Sequence, residues 1–334
     1  MLNIQNQVYI TLVIDGKPIE YAHIKDMTLC EGNGVFAPTM KIELDDPTSI
    51  LSKSHALSEG NTVDVLISRS MNDASAKPRR YRVFGPTREN PSYNPNVMII
   101  GLLNCPLYFT ASARECTNGT SADAIRAIAN KVGLTYSGPS KGRSMNDRMI
   151  WLDVVTTRAQ NVAEITRRGW MDENSCMDSM VTSYHELRYR NIVDEINTPA
   201  SQIKYLFVHS TLEDPTTGTG KKTYIVKEAR DRSSSGVMSS WMNYGSTRSS
   251  NHIDGTQRDR KSVDVKTPGA YLAINKEVTD MVKRTRFEYS PIDCSNTHQQ
   301  YQNALYQNQK IMGLFSEAMS LLVLEVTDIQ LFDI

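Results

Sequence analysis

An excess of either charge is missing from this 334-residue chain: Lys plus Arg number 37, Asp plus Glu number 37, and the formal net charge is zero. A protein whose main task is gripping phosphates carries a basic surplus, so nucleic-acid binding is disfavoured as that task. No apolar run approaches the roughly 20 residues that span a bilayer, which excludes a transmembrane helix. Met1–Gln5 lacks the basic region and apolar core of a signal peptide. Cysteines are few, odd in number and scattered (Cys30, Cys105, Cys116, Cys176, Cys294), with no CxxC pair. That pattern argues for free thiols in a reducing cytoplasm and against a disulfide scaffold or a zinc site. The six histidines (His23, His55, His185, His209, His252, His298) never fall at metal-ligand spacing, and there is no HExxH. Gly and Pro are in no excess, which excludes fibrous and wholly disordered classes.

What is present is strand material around one clear helix. Thr120 or Ser121 can cap that helix, and Asp123 sits in its first turn, where the macrodipole favours an anion. Ala124, Ile125, Ile128, Ala129 and Val132 recur at helical spacing, and Gly133 ends the run. A short strand, Leu134–Tyr136, follows. Upstream, residues 7–14 read as a strand closed by Asp15-Gly16, a tight hairpin signal. Further strands are predicted over Ile24–Leu29, Thr39–Leu44, Thr62–Ile67, Tyr81–Gly85 and Val97–Leu103. Alternation places Met40, Ile42 and Leu44 on one face. Helix signal in this part is confined to one turn after Pro47. Short strands with close turn punctuation indicate a small antiparallel barrel or sandwich.

From about residue 112 to 196 helix and strand alternate. Met149–Val155 reads as a strand. Arg158–Arg168 reads as a helix capped by Thr156 or Thr157, with Val162 and Ile165 inward. Glu186–Ile192 alternates, with Leu187 and Tyr189 on one face. Strands return at Ile203–Val208 and Thr223–Val226. Ser233–Lys266 is Ser-, Asn- and Arg-rich and reads as a long polar loop. Asn296–Gly313 is a polar amphipathic helix with Tyr301, Leu305 and Met312 on one stripe. Leu321–Val326 and the terminal Asp328–Ile334 are strand-like.

Two stretches imitate catalytic motifs. Gly138-Pro-Ser-Lys-Gly142 has the serine-elbow spacing, but a polar loop follows Ser140 where an apolar helix is required. Gly218-Thr-Gly-Lys-Lys-Thr223 resembles a phosphate loop. A required glycine is replaced in either register, by Pro215 in one and Lys221 in the other, and a strand follows, so a hairpin loop is expected. Carboxylates are plentiful, yet no pair sits in a sequence context that would raise one pKa, so no hydrolase acid can be named. The basic residues between Lys221 and Lys266 (Arg230, Arg232, Arg248, Arg258, Arg260), with Trp241 and Tyr244, could stack and bind nucleic acid. Asp231, Asp254, Asp259 and Asp264 dilute that charge. Trp241 with Met238 and Met242 is the better candidate for a protein contact, because aromatics and methionine are enriched in interface cores. Leu331 and Phe332 join them as candidate interface residues. No catalytic, cofactor-binding or metal-binding residue is expected.

Four of these stretches resemble one family. Leu57–Leu66, with Gly60-Asn-Thr-Val63, resembles its strand opening of Gly, Asp or Asn, any residue, then Val. Cys116–Gly138 resembles its Thr-Ser-x-Asp-x-Ile-x-x-Ile-Ala-x-x-x-Gly-Leu helix. Trp151-Leu-Asp-Val with Asn161–Gly169 resembles its second helix, ending in Arg-x-Gly. The Tyr/Asn/Gln-rich stretch 297–312 resembles the helix before its last strands. The family is the baseplate hub of contractile phage tails, the T-even-type hub and tail protein D or late-control proteins, related to the hub part of type VI secretion spikes. Two departures stand out. Trp170–Tyr184 intervenes after Gly169, read as an extra helical turn, and no Gly precedes Asp333.

The resemblance implies a fold of class α+β, mostly β. Two tube-like antiparallel β-barrel domains would flank a small helix-strand domain. The first barrel would span 1–112, the α/β domain 113–196, and the second barrel 197–232 plus 267–334, with 233–266 inserted as a polar loop. It implies a homotrimer, a symmetry adaptor between a hexameric tail tube and a trimeric central spike. Tube protein, spike, baseplate wedge proteins and a tape-measure protein would be its partners, and DNA only passing cargo. It would sit in the virion baseplate, assembled in the host cytoplasm, without membrane insertion, enzymatic activity or cofactor. Two alternatives stay open, the hub portion of a secretion-system spike and a tail-associated cell-wall hydrolase.

Overall fold

The protein is described from a computed structural model over residues 9–32, 37–47, 57–68, 76–88, 96–110, 115–139, 145–152, 157–172, 175–196, 205–209, 222–233, 247–254, 259–266, 285–289 and 317–323. The class is α+β and mostly β, with few helices. Seven strands form the first unit: β1 (Tyr9–Ile14), β2 (Lys17–Ile19), β3 (Ile24–Cys30), β4 (Thr39–Asp45), β5 (Thr62–Ser68), β6 (Arg79–Arg88) and β7 (Asn96–Leu103). They pair antiparallel in the order β2-β1-β5-β6-β7-β4-β3.

The β1–β2 hairpin turns at Asp15-Gly16, with φ of 45° and 78°. Two positive φ values define the tight turn whose twist matches the strands it joins. Asp15 also ties that turn to the neighbouring strand. Its carboxylate accepts the Thr62 N–H at 2.7 Å, the Thr62 hydroxyl at 2.8 Å, and the Asn61 amide. The backbone bond from Thr62, chief among these, holds its pKa below the usual carboxylate value.

Connectivity dictates the curvature of this sheet. β2 and β3 lie at opposite ends of the strand order, yet only Glu20–His23 joins them. Laid flat, six strand spacings would part them by about 29 Å. That link reaches no more than about 18 Å. The sheet therefore rolls until its end strands approach. No ladder joins β2 to β3 among the described residues, so the sheet is open there. Its inner face carries Leu12, Ile14, Met40, Ile42, Leu44, Val63, Val65, Tyr81 and Ile99, all essentially without solvent exposure.

The second unit is the helix-strand module. A short helix that the sequence reading missed, α1 (Pro106–Phe109), opens with Pro106 at its first position. Then come β8 (Cys116–Gly119), α2 (Ser121–Val132), β9 (Thr135–Ser137), β10 (Met149–Leu152), α3 (Arg158–Arg168), β11 (Met177–Val181), β12 (Glu186–Asn191) and α4 (Ile192–Ile196). Both long helices start on reciprocal capping boxes, Thr120 with Asp123 and Thr157 with Gln160. Gly133 ends α2 at φ 79°. Their inner faces meet over Ile125, Ile128, Val162, Ile165, Leu187 and Tyr189.

The extra helical turn expected between Trp170 and Tyr184 is corrected to a strand, β11, antiparallel to β12. Met177, Ser179, Met180 and Val181 are all buried, so the polar/apolar alternation that marks a half-exposed strand is absent from the letters. β9 adds parallel to β12.

The C-terminal half contributes β13 (Tyr205–His209), β14 (Lys222–Ser233), β15 (Thr247–Asp254), β16 (Asp259–Lys266), β17 (Thr285–Tyr289) and β18 (Glu317–Val323). The order is β13-β14-β18 in one sheet and β16-β15-β17 in the other. The polar loop expected over 233–266 is corrected in part: β15 and β16 form an eight-residue antiparallel ladder from Thr247↔Lys266 to Asp254↔Asp259. Backbone pairing needs no apolar stripe, and these letters show only a fragment of one, Val263 with Val265. β13 and β14 pair in parallel. A tight hairpin cannot make that pairing, which corrects the hairpin expected at the phosphate-loop imitation. The sequence-predicted helix 296–313 and the terminal strand 328–334 lie outside the described residues.

Candidate partner-binding surfaces

The rolled sheet and the module meet at the tip of the β11–β12 hairpin. Thr182–His185 turns the chain, with His185 at φ 60° and its N–H donating to Thr182 O. Three contacts fasten this tip to the sheet. The Ser183 N–H donates to Glu31 Oε1 at 3.0 Å. The Arg79 guanidinium lies 4.6 Å over the Tyr184 ring. His185 Nε2 sits 3.2 Å from Asn104 O. Beside the joint runs an open groove of about 890 Å³, lined by Lys77, Arg80, Asn104, Thr135, His185 and Arg188 among others. Its charges are largely internally matched: Arg80 pairs with Asp64 at 3.4 Å and Arg188 with Glu186 at 2.9 Å.

Within the module one carboxylate organises the packing. Asp147 is buried, its Oδ1 accepting the Ser121 N–H at 3.0 Å and its Oδ2 the Trp170 N–H at 2.8 Å. Ser121 Oγ is 2.9 Å from the hydroxyl of fully buried Tyr189. Burial pushes the Asp147 pKa up against these bonds. Asp178 is pushed further, to about 6, by burial opposed only by the Ser179 N–H. The sequence reading looked for a carboxylate pair with one pKa raised; these two acids are raised singly, with no carboxylate partner. The cause is tertiary burial, which leaves no local signature in the letters.

Two exposed apolar features stand out. On the outer wall of the rolled sheet, β6 carries a bulge between Val83 and Gly85. Phe84 continues the alternation of buried Tyr81 and Val83 with exposed Arg82, so it faces outward and is 62 % exposed. Adjacent β7 is apolar on both faces: Val97, Ile99, Gly101 and Leu103 are buried inside, while Met98, Ile100 and Leu102 point outward. A strand that reads apolar throughout is characteristic of one covered on both sides. On the module, the β8–β10 ribbon buries Trp151, whose indole N–H donates to Gly119 O at 3.0 Å, and exposes Ile150 and Leu152.

The sequence-predicted interface residues Met238, Trp241, Met242, Leu331 and Phe332 lie outside the described residues, as does Ser140 of the serine-elbow imitation. Gly138, at its edge, accepts a bond from Arg190, which also holds Ser137 Oγ at 2.6 Å. Lys222 and Thr223 of the phosphate-loop imitation open β14. No group of three or more His, Cys, Asp or Glu side chains able to hold a metal occurs among the described residues. The sequence reading missed the Phe84 surface. The unbroken apolar run of Val97–Leu103 was its available signal.

The fold these units build is that of bacteriophage tail proteins. Over 94% of its length the chain superposes on 80% of the 43 kDa tail protein of prophage MuSo2 from Shewanella oneidensis, with TM-score 0.52 and 12% identity. It likewise covers 79% of a tail protein from Neisseria meningitidis MC58 over 94% of its own length, with TM-score 0.54 and 9% identity. No protein-family model matches the sequence, and no curated protein matches it.

Proposed function

We propose that this chain is the structural hub of a contractile phage tail baseplate, a homotrimer joining the hexameric tail tube to the trimeric central spike around a channel for DNA. The observation that carries the reading is the tail-protein fold, shared over 94% of the chain with two tail proteins of unrelated sequence. The rolled seven-stranded sheet is the natural core of the first tube-like domain, 1–112, and residues 113–196 form the small domain behind it. The second tube-like domain is assigned to 197–232 with 267–334, and 233–266 is inserted between its parts. Three subunits with two such domains each would present six similar modules to a hexameric tube. Its partners would be the tube protein, the spike, the baseplate wedge proteins and the tape-measure protein, in the virion, with no reaction catalysed.

Light scattering and negative-stain images of the purified protein test the reading. A trimeric ring with a central hole is expected, binding tube and spike proteins on opposite faces. A stable monomer that binds neither refutes it. Peptidoglycan cleavage lost on Ser140→Ala would establish the hydrolase alternative instead.

A further inference from the structure

We propose that the joint between the rolled sheet and the module is acid-labile, with His185 as the group that makes it so. The argument starts from placement. Three contacts hold the hairpin tip on the sheet, and His185 supplies the one nearest the groove. Its carbonyl also accepts the Thr135 N–H at 2.9 Å and the Thr135 hydroxyl at 3.1 Å, so the same residue braces β9. A contact from Nε2 to a carbonyl requires the proton on that nitrogen, so the neutral ring already makes the bond. A second proton therefore adds charge without adding this contact.

The charge would enter a crowded setting. From the sheet side, Arg80 on β6 repels an imidazolium and Asp64 on β5 attracts it. The two are tied to each other at 3.4 Å, which blunts the attraction. Around the groove stand Lys77, Glu186 and Arg188, and the last two are likewise paired. Also on the sheet side, Arg79 and Glu31 are engaged by Tyr184 and Ser183 of the tip. Burial, first, and then Arg80 push the His185 pKa below the ordinary histidine value against the pull of Asn104 O. The sign follows from linkage. A histidine that is harder to protonate in the closed joint than in the open one favours closure fully above its open-state pKa, near 6.5. That preference is lost as pH falls through the closed-state value. Each unit of depression is worth up to about tenfold in the open-to-closed ratio.

The chain carries its own reporters. Cys30 on the sheet and Cys116 on the module are exposed, whereas Cys105 and Cys176 are buried. With Cys294 replaced by serine, spin labels on Cys30 and Cys116 report the separation of the two units by pulsed electron paramagnetic resonance. One narrow distance is expected at pH 7.5, with a broad component growing severalfold by pH 5. His185→Asn keeps a side chain that tolerates positive φ and stays neutral, so it should abolish the growth. Arg80→Gln should reduce it, by letting Asp64 favour the imidazolium. A distribution identical at both pH values overturns the proposal. So does growth that persists undiminished in His185→Asn.

Discussion

Gly169 ends α3 with an ordinary negative φ, −63°, so its reason to be glycine is space and not backbone conformation. A Cβ built on it would lie 1.9 Å from the Tyr189 hydroxyl and 3.3 Å from both Ser121 Oγ and Thr166 O. Tyr189 is fully buried and its hydroxyl is engaged with Ser121 at 2.9 Å, so the ring cannot retreat without abandoning that bond. Gly169→Ala should therefore combine overpacking, about 1–3 kcal/mol, with a buried hydroxyl left unpaired, about 1–3 kcal/mol more. Tyr189→Phe removes the obstructing atom and by itself should cost only about 1 kcal/mol. In the Phe background, Gly169→Ala should lose at least half its cost, a coupling of about 1–3 kcal/mol. Urea unfolding followed by Trp151 and Trp170 fluorescence, with Trp241 replaced by phenylalanine, reads the module alone. An alanine penalty equal in both backgrounds would refute the packing argument.

Three further outcomes follow from named groups. Asp178, at about 6, ionises at a cost to the folded form, so its contribution favours folding below pH 4 and declines as pH rises through 6. Asp178→Asn should raise stability at pH 7 by about 1–2 kcal/mol after allowance for solvent screening, and flatten the slope between pH 4 and 6 in urea midpoints. Asp147→Ala leaves the Ser121 and Trp170 N–H groups without their acceptor and should cost about 2–4 kcal/mol by the same midpoints. Phe84→Ser should move monomer stability by no more than about 0.5 kcal/mol yet weaken recovery of the chain in assembled tails, measured by co-sedimentation. Unchanged co-sedimentation would remove that wall from the partner surface.

Local signals made the helices legible. The Thr120 and Thr157 caps, Gly133, and the buried stripes of α2 and α3 were readable because capping and 3.6-residue periodicity are properties of adjacent residues. The Asp15-Gly16 turn and the alternation of Met40, Ile42 and Leu44 were legible for the same reason. What escaped was set by distant residues. β11 is buried on both faces and carries no alternation. β15 and β16 pair with too few apolar letters to announce themselves. The raised carboxylates at 147 and 178 depend on what the rest of the chain folds over them. The strand order of the rolled sheet, with consecutive β2 and β3 at opposite ends, is invisible in any window shorter than the whole unit.

Three of the described carboxylates serve as internal braces. A catalytic acid or base needs a free oxygen facing a space that a substrate can enter. Asp15 spends both oxygens on Thr62 and Asn61, Asp123 on Thr120 and Arg126, and Asp147 on two main-chain N–H groups. Each of these ties one element to the next: a hairpin to a strand, a helix to its own start, a helix to a distant turn. Asp178, held by a single N–H, faces Arg190 across the β11–β12 ladder and does not line the groove at the joint. Meanwhile the outer wall shows Phe84 and Ile100, side chains whose exposure has no internal use. Among the described residues, then, Asp15, Asp123 and Asp147 brace the fold from within, while Phe84 and Ile100 are presented outward.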